Sequence, residues 1–141
     1  MVKQSIFYFD GSRYISHAFC IMPNHLHWLL TPKTENMSTG DSVLISIMHS
    51  LKSFTAHQAN KLLKRKGRFW SKEYYDHLVR SSGEFGRLLI YILENQVKAG
   101  LCKEWDEWPW TACSDRIRDS LTKKDHICAE HSPPEAGDTN S

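Results

Sequence analysis

His25 and His27 stand one residue apart in Met22-Pro23-Asn24-His25-Leu26-His27. On a strand, side chains two apart share a face. Both imidazoles would then aim the same way while Leu26 points to the other face. Two neighbouring imidazoles make a ready pair of ligands for a divalent metal, and two protein ligands leave coordination positions open for a substrate. Tyr91 is the second group of interest. Phe85, Leu88, Leu89, Ile92 and Leu93 recur at helical spacing, and Tyr91 falls on the edge of that apolar stripe. Asn95, one turn on, lies on the same side as Tyr91, with Lys98 nearby, whereas Gln96 projects towards the stripe. A tyrosine can attack a phosphodiester and conserve the bond as a phosphotyrosine. A phenol is a weak nucleophile at neutral pH, so this chemistry needs a group that neutralises charge on the phosphate, such as a metal. The third feature is Lys61, Lys64, Arg65, Lys66 and Arg68, followed directly by Phe69 and Trp70. Cations attract a phosphate backbone and exposed aromatic rings stack on unpaired bases, a mixture suited to single-stranded nucleic acid. Each feature also has an ordinary reading: two unrelated histidines on a half-exposed strand, a packed helix tyrosine, and a basic helix end facing the C-terminal dipole.

Tyr74 and Tyr75 are rival nucleophiles, because Asp76 and His77 follow them and a histidine could activate a phenol. His77 reads more naturally as a DNA-contacting or structural residue than as a metal ligand. Trp105, Trp108 and Trp110 fit either packing or DNA contact.

The elements that must position these groups are legible in outline. Arg13 to Cys20, extended by Ile21-Met22, reads as a strand. Pro23-Asn24 signals a turn, and His25 to Leu30 reads as a second strand, giving a hairpin. Lys33 to Gly40 is a polar loop. Ser38, Thr39 or Asp41 can cap a long helix whose apolar face runs through Leu44, Ile47, Met48, Leu51, Phe54, Thr55, Gln58 and Leu62, with Gly67 after its end. Arg68 to Arg80 reads as a strand with its approach loop. Ser81-Ser82-Gly83 breaks the chain before a second helix, Glu84 to Lys98, closed by Gly100. The order β-β-α-β-α predicts an α+β sandwich, an antiparallel sheet with helices on one face. Ala129 to Ser141 lacks Lys and Arg and contains Pro133-Pro134, so residues 1–121 are expected to form one domain and 122–141 a polar, disordered tail.

The 141 residues are enough for one domain. With 40% hydrophobic and 24% charged residues a packed core is expected. The net charge of +2 neither demands nor excludes a nucleic-acid partner. No apolar run approaches the roughly 18–20 residues of a membrane span, and the N-terminus lacks a secretory layout, so no membrane partner and a cytoplasmic location are expected. Cys20, Cys102, Cys113 and Cys128 form no CxxC pair, which points to reduced structural thiols.

Taken in order, these motifs resemble the single-tyrosine HUH transposases, most closely the branch associated with repetitive extragenic palindromic (REP) sequences. Met22-Pro23-Asn24-His25-Leu26-His27-Trp28-Leu29-Leu30 is similar to that family's histidine–hydrophobic–histidine strand. Ser50-Leu51-Lys52 with Phe54-Thr55 resembles its central helix, and Gly67-Arg68-Phe69-Trp70 with Tyr74 to Arg80 its next strand. Tyr91 to Leu101 resembles the nucleophile helix, and Trp108-Pro109-Trp110-Thr111 a short trailing motif. The likeness covers about Arg13 to Cys113.

The resemblance implies a ferredoxin-like βαββαβ core and metal-dependent cleavage and rejoining of single-stranded DNA through a 5′-phosphotyrosine. It implies Mg²⁺ or Mn²⁺ held by His25, His27 and, one turn after the nucleophile Tyr91, Asn95. It also implies hairpin or repeat DNA as substrate and, for many relatives, a homodimer. Lys61, Lys64, Arg65, Lys66, Arg68, Trp70 and His77 are the residues expected to contact nucleic acid. The family core opens with a strand and a helix before the hairpin, and here that strand and helix are expected to be missing or shortened. Three readings stay open: Met1 to Asp10, with its strand-like Ser5 to Phe9, partly replaces the strand; a partner chain supplies it; or the chain is a truncated remnant. The competing functions are a non-catalytic nucleic-acid-binding remnant, which would hold no metal, and a metal-dependent hydrolase unrelated to DNA, which would need a small-molecule pocket and no basic helix end.

Overall fold

The computed structural model describes residues 1–34, 40–72 and 74–130. The hairpin forms as its sequence predicts. β1, Tyr14–Ile21, and β2, Leu26–Pro32, pair antiparallel, with Cys20 opposite His27 and Phe19 opposite Trp28. Met22 N–H donates to His25 O at 2.8 Å, closing the turn around Pro23-Asn24. A bulge between Ser16 and Ala18 shifts the register, which changes which β1 residues face each side of the sheet. The third strand, β3, is only Thr111–Cys113, and it pairs with the other edge of β1 to give the order β2-β1-β3.

Helices complete an α+β fold compatible with a ferredoxin-like arrangement. α1 is Val2–Tyr8, α2 Gly40–Leu62, α3 Ser82–Lys98 and α4 Asp115–Glu130. They lie on both faces of the sheet, not on one. Ala18, Cys20 and Leu29 pack against Ile92 and Leu93 of α3, with Trp105 and Trp108 beside them. On the opposite face, Phe19 packs against Ile6 of α1 and Leu51 of α2, with Ile21, Leu26 and Trp28 around them. Strand alternation explains this split: β1 is apolar on both sides, so a single layer of helices would leave Phe19 and Ile21 in water.

Four segments differ from the sequence expectation. Ser5 to Phe9 is not a strand: Ser5 to Tyr8 belong to α1 and Phe9 caps its end, because a helix puts Val2 and the fully buried Ile6 one turn apart against Phe19 and Leu51. Tertiary packing there overrides local β propensity. The Tyr14 hydroxyl ties this helix to β1 by donating to Ile6 O at 2.5 Å, and burial, with Asp10 nearby, pushes the phenol up to about 12. Arg68 to Arg80 forms no strand among its described residues. Its polar groups go to side chains instead: Trp70 Nε1 donates to Thr55 Oγ1 at 2.8 Å, and Arg80 N–H donates to Glu84 Oε2 at 2.8 Å. The third strand arises at Thr111–Cys113, too short to show a period. Finally, α4 runs on through residues 122–130, which the sequence had assigned to the tail; residues 131–141, and the cap candidates Ser38 and Thr39, lie outside the described residues. The thiols of Cys20, Cys102 and Cys113 are free.

Candidate active site

An N-terminal cap and one buried amide position α3. Ser81 caps the helix, its Oγ accepting from Glu84 N–H at 3.1 Å. Towards the other end, Gln96 has no exposed surface and is fully engaged. Its Oε1 accepts from the Cys20 thiol at 3.2 Å, and its Nε2 donates to Leu93 O at 2.5 Å and Trp105 O at 2.9 Å. Cys20 is the cross-strand neighbour of His27. Fixing Gln96 on Cys20 therefore fixes where the preceding turn of α3 lies over His27.

That turn carries Tyr91. The Tyr91 and His27 rings meet edge-to-face with centroids 5.3 Å apart, and His27 and His25 meet the same way at 4.8 Å. The three residues singled out for chemistry thus form one contiguous row, on the α3 face of the sheet, and Tyr91 remains 46% exposed and open to a large ligand. Burial lowers the His27 pKa below the ordinary histidine value, and the neighbouring His25 lowers it further. His27 is thus held neutral, as a metal ligand must be. His25 Nδ1 lies 2.6 Å from Asn24 Oδ1. An Nδ1–H donated to this amide oxygen would leave Nε2 available as a ligand.

The sequence of this chain is similar to two curated proteins. A Haemophilus influenzae protein provisionally named a REP-associated tyrosine transposase is 27% identical over 116 residues, covering 77% of this chain and 64% of that protein. An Escherichia coli REP-associated tyrosine transposase is 25% identical over 95 residues, covering 67% of this chain and 52% of its own length. Both relatives carry the name of REP-associated tyrosine transposases, and the similarity supports that family for this chain. Matches therefore span between half and two thirds of the length of those family members. No protein-family model and no solved structure matches the chain.

The resemblance to that family implies a divalent metal, and the histidines can be tested against that. An imidazole bound through nitrogen has its centroid about 3.2 Å from the ion, so two sharing one ion sit about 4.5–5.2 Å apart. The observed 4.8 Å lies inside that range, and the neutral state of His27 agrees with it, so the pair fits a metal. Among the described residues no group of three or more His, Cys, Asp and Glu could hold an ion. The third protein ligand that the resemblance implies is Asn95. Asn95 is half-buried, one turn after Tyr91 on the same helix, and its side chain makes no hydrogen bond among the described residues. Gln96 is consumed in the core.

The other sequence candidates lie elsewhere. Lys61, Lys64, Arg65, Lys66 and Arg68 are exposed around the end of α2, where Lys64 and Gly67 take positive φ angles of 51° and 100° to turn the chain back. Arg65 donates to Arg68 O at 2.9 Å within this turn. Trp70 stacks beside α2, not near Tyr91. Because α2 covers the Phe19 and Trp28 face, this basic end is on the opposite side of the sheet from the histidines. His77 is not with the basic group either; it is bonded to Glu84 at the start of α3. Tyr75 is 92% exposed, Tyr74 lies under Lys52, and neither touches His25 or His27. Trp105 and Trp108 are packing residues, and Trp108 Nε1 donates to Ile21 O at 3.0 Å.

Sequence reasoning passed over Lys52, Lys72 and the full extent of the charge asymmetry. Residues 42–72 hold seven Lys and Arg and no Asp or Glu, so the rest of the chain carries five more carboxylates than cations. Counting charge by segment, not over the whole chain, would have revealed it. No helix among the described residues is long and apolar enough to cross a membrane.

Proposed function

We propose that this chain is a metal-dependent single-strand DNA endonuclease and strand transferase, acting through a 5′-phosphotyrosine at Tyr91 on hairpin or repeat DNA. The observation that carries this reading is the unbroken row His25–His27–Tyr91, with ring centroids 4.8 and 5.3 Å apart. Similarity to REP-associated tyrosine transposases supports it.

In this mechanism Tyr91 Oη attacks the scissile phosphorus. The P–Oη bond forms as the P–O3′ bond breaks, the phenolic proton is lost, and the departing 3′ oxygen takes up a proton to become a free 3′-hydroxyl. The phosphotyrosine retains the phosphodiester's bond energy, so a second 3′-hydroxyl can reverse the step and rejoin strands. His25, His27 and Asn95 would hold Mg²⁺ or Mn²⁺, which when bound would neutralise charge on the scissile phosphate. Edge contact with His27 orients the Tyr91 ring, and the exposed side of Tyr91 leaves room for a strand.

The test is a denaturing gel of protein mixed with a labelled hairpin oligonucleotide bearing single-stranded flanks and Mn²⁺. The proposal expects a covalent protein–DNA band that disappears with chelator and in His27→Ala. A band that survives both would remove the metal from the mechanism. Absence of a band across several repeat sequences would favour the non-catalytic, DNA-binding alternative.

A further inference from the structure

A groove of about 410 Å³ runs between α2 and residues 67–72 and 74, on the side of the sheet away from Tyr91. Met48 and Lys52 line it from α2, and Phe69, Trp70 and Tyr74 from the segment that follows. Its aromatic rings are held in place. The Trp70 indole N–H donates to Thr55 Oγ1 at 2.8 Å, and Thr55 itself is fully buried. Phe69 meets Trp70 edge-on at 5.5 Å. Lys52 Nζ donates to Ser71 O at 2.9 Å and lies 5.2 Å over the Tyr74 ring. Yet Phe69 and Tyr74 remain 37% and 40% exposed. Three aromatic rings gathered in one groove offer flat faces on which a base can stack.

The charge around the groove narrows the partner. All of its lining residues but Tyr74 belong to the stretch 42–72, with seven cations and no carboxylate, while the remainder of the chain, in which Glu73 precedes Tyr74, is net acidic. A ligand that satisfies both features is flat and aromatic in its parts and polyanionic along its length. We infer that this groove seats unpaired nucleotides of a single strand, their bases stacked on Trp70 and Tyr74 and their phosphates facing Lys52, Arg68 and Lys72. This rests on the reading that the chain acts on single-stranded DNA, and it adds a binding locus separate from the cleavage centre. The sheet lies between the two, with β2 and β3 as its edge strands. A strand reaching both must pass around the sheet, so a short oligonucleotide can occupy the groove without meeting Tyr91. An acidic peptide would answer the same cations but would not supply flat rings for stacking.

The experiment measures binding of a short fluorescent oligothymidylate by anisotropy, beside a strand of the same length whose sugars carry no bases. The abasic strand is expected to bind at least about tenfold more weakly, and Tyr74→Ala and Trp70→Ala to lose about five- to a hundredfold each in affinity. Tyr74→Phe, which keeps the ring, should bind like wild type; since Tyr74 is substantially exposed, this pair does not depend on the folding of the Trp70 variant. Equal binding of the abasic strand, equal binding by Tyr74→Ala, or competition by polyglutamate as effective as by DNA would each overturn the inference. The phosphotyrosine proposal is scored separately on the denaturing gel. Ring-dependent binding without a covalent band would retain the groove and reject Tyr91 as nucleophile. A covalent band with ring-independent binding would do the reverse.

Discussion

Replacing Gln96 with leucine should loosen the seat of Tyr91 from a distance. Gln96 lies five residues after Tyr91, about 7.5 Å along the helix axis, and bonds Cys20, the cross-strand partner of His27. Leucine keeps most of the volume but removes every hydrogen bond. Trp105 O loses a donor at 2.9 Å and the Cys20 thiol loses its acceptor at 3.2 Å. The orphaned carbonyl costs about 1–3 kcal/mol and the lost thiol contact at most about 1 kcal/mol. The added apolar surface offsets part of this, leaving a net destabilisation of about 2 kcal/mol. With a urea slope of about 1.5 kcal/mol/M, the unfolding midpoint should fall by more than about 1 M. A double-mutant cycle with Cys20→Ala should report a coupling of about 0.5–1.5 kcal/mol. The yield of covalent DNA adduct in Gln96→Leu should also fall, because α3 no longer holds its register over His27. An unchanged midpoint, or a cycle with no coupling, would refute the view that this buried amide locks helix to strand.

Other perturbations test separate parts of the fold. Ser81→Ala removes the cap on Glu84 N–H and should cost about 1 kcal/mol in chemical unfolding. Burial lowers the His17 pKa, so the unfolded chain takes up this proton first. Stability is full above the ordinary histidine range and is lost as pH falls from that range towards the folded value, and His17→Gln should flatten that acid limb in pH-dependent urea titrations. The Tyr14 phenol is raised to about 12, so its contribution is full below the ordinary tyrosine value and is lost as pH rises through about 12; Tyr14→Phe should remove one late-titrating phenol from the alkaline ultraviolet titration.

What the sequence disclosed follows from period and punctuation. The hairpin was legible because Pro23-Asn24 marks a turn and His25 and His27 keep the two-residue period beyond it. α3 was legible because its stripe from Phe85 to Leu93 is clean and Ser81 sits at the cap, and the same stripe separated Gln96, turned into the core, from Tyr91 and Asn95. Elsewhere the local signal and the packing disagree. Ser5 to Phe9 looks like a strand, yet Ile6 is buried only because a helix presents it to Phe19. Arg68 to Arg80 is rich in the aromatic and branched residues of a strand, but its contacts include side chains of α2 and α3, and no ladder forms among its described residues. β3 is three residues long, below the length at which a period can be seen. The placement of helices on both faces, and with it the separation of the basic groove from Tyr91, depends on which side of β1 each helix covers, and no single segment records that.

The central claim is that Tyr91, beside His27, is the nucleophile. The most direct measurement identifies the residue that carries DNA after reaction of the protein with a hairpin oligonucleotide in Mn²⁺, by peptide mass spectrometry of the trapped adduct. The account predicts a nucleotide on the peptide containing Tyr91, lost in Tyr91→Phe and kept in Tyr74→Phe and Tyr75→Phe. An adduct on Tyr74 or Tyr75, or one that persists in Tyr91→Phe, would contradict it.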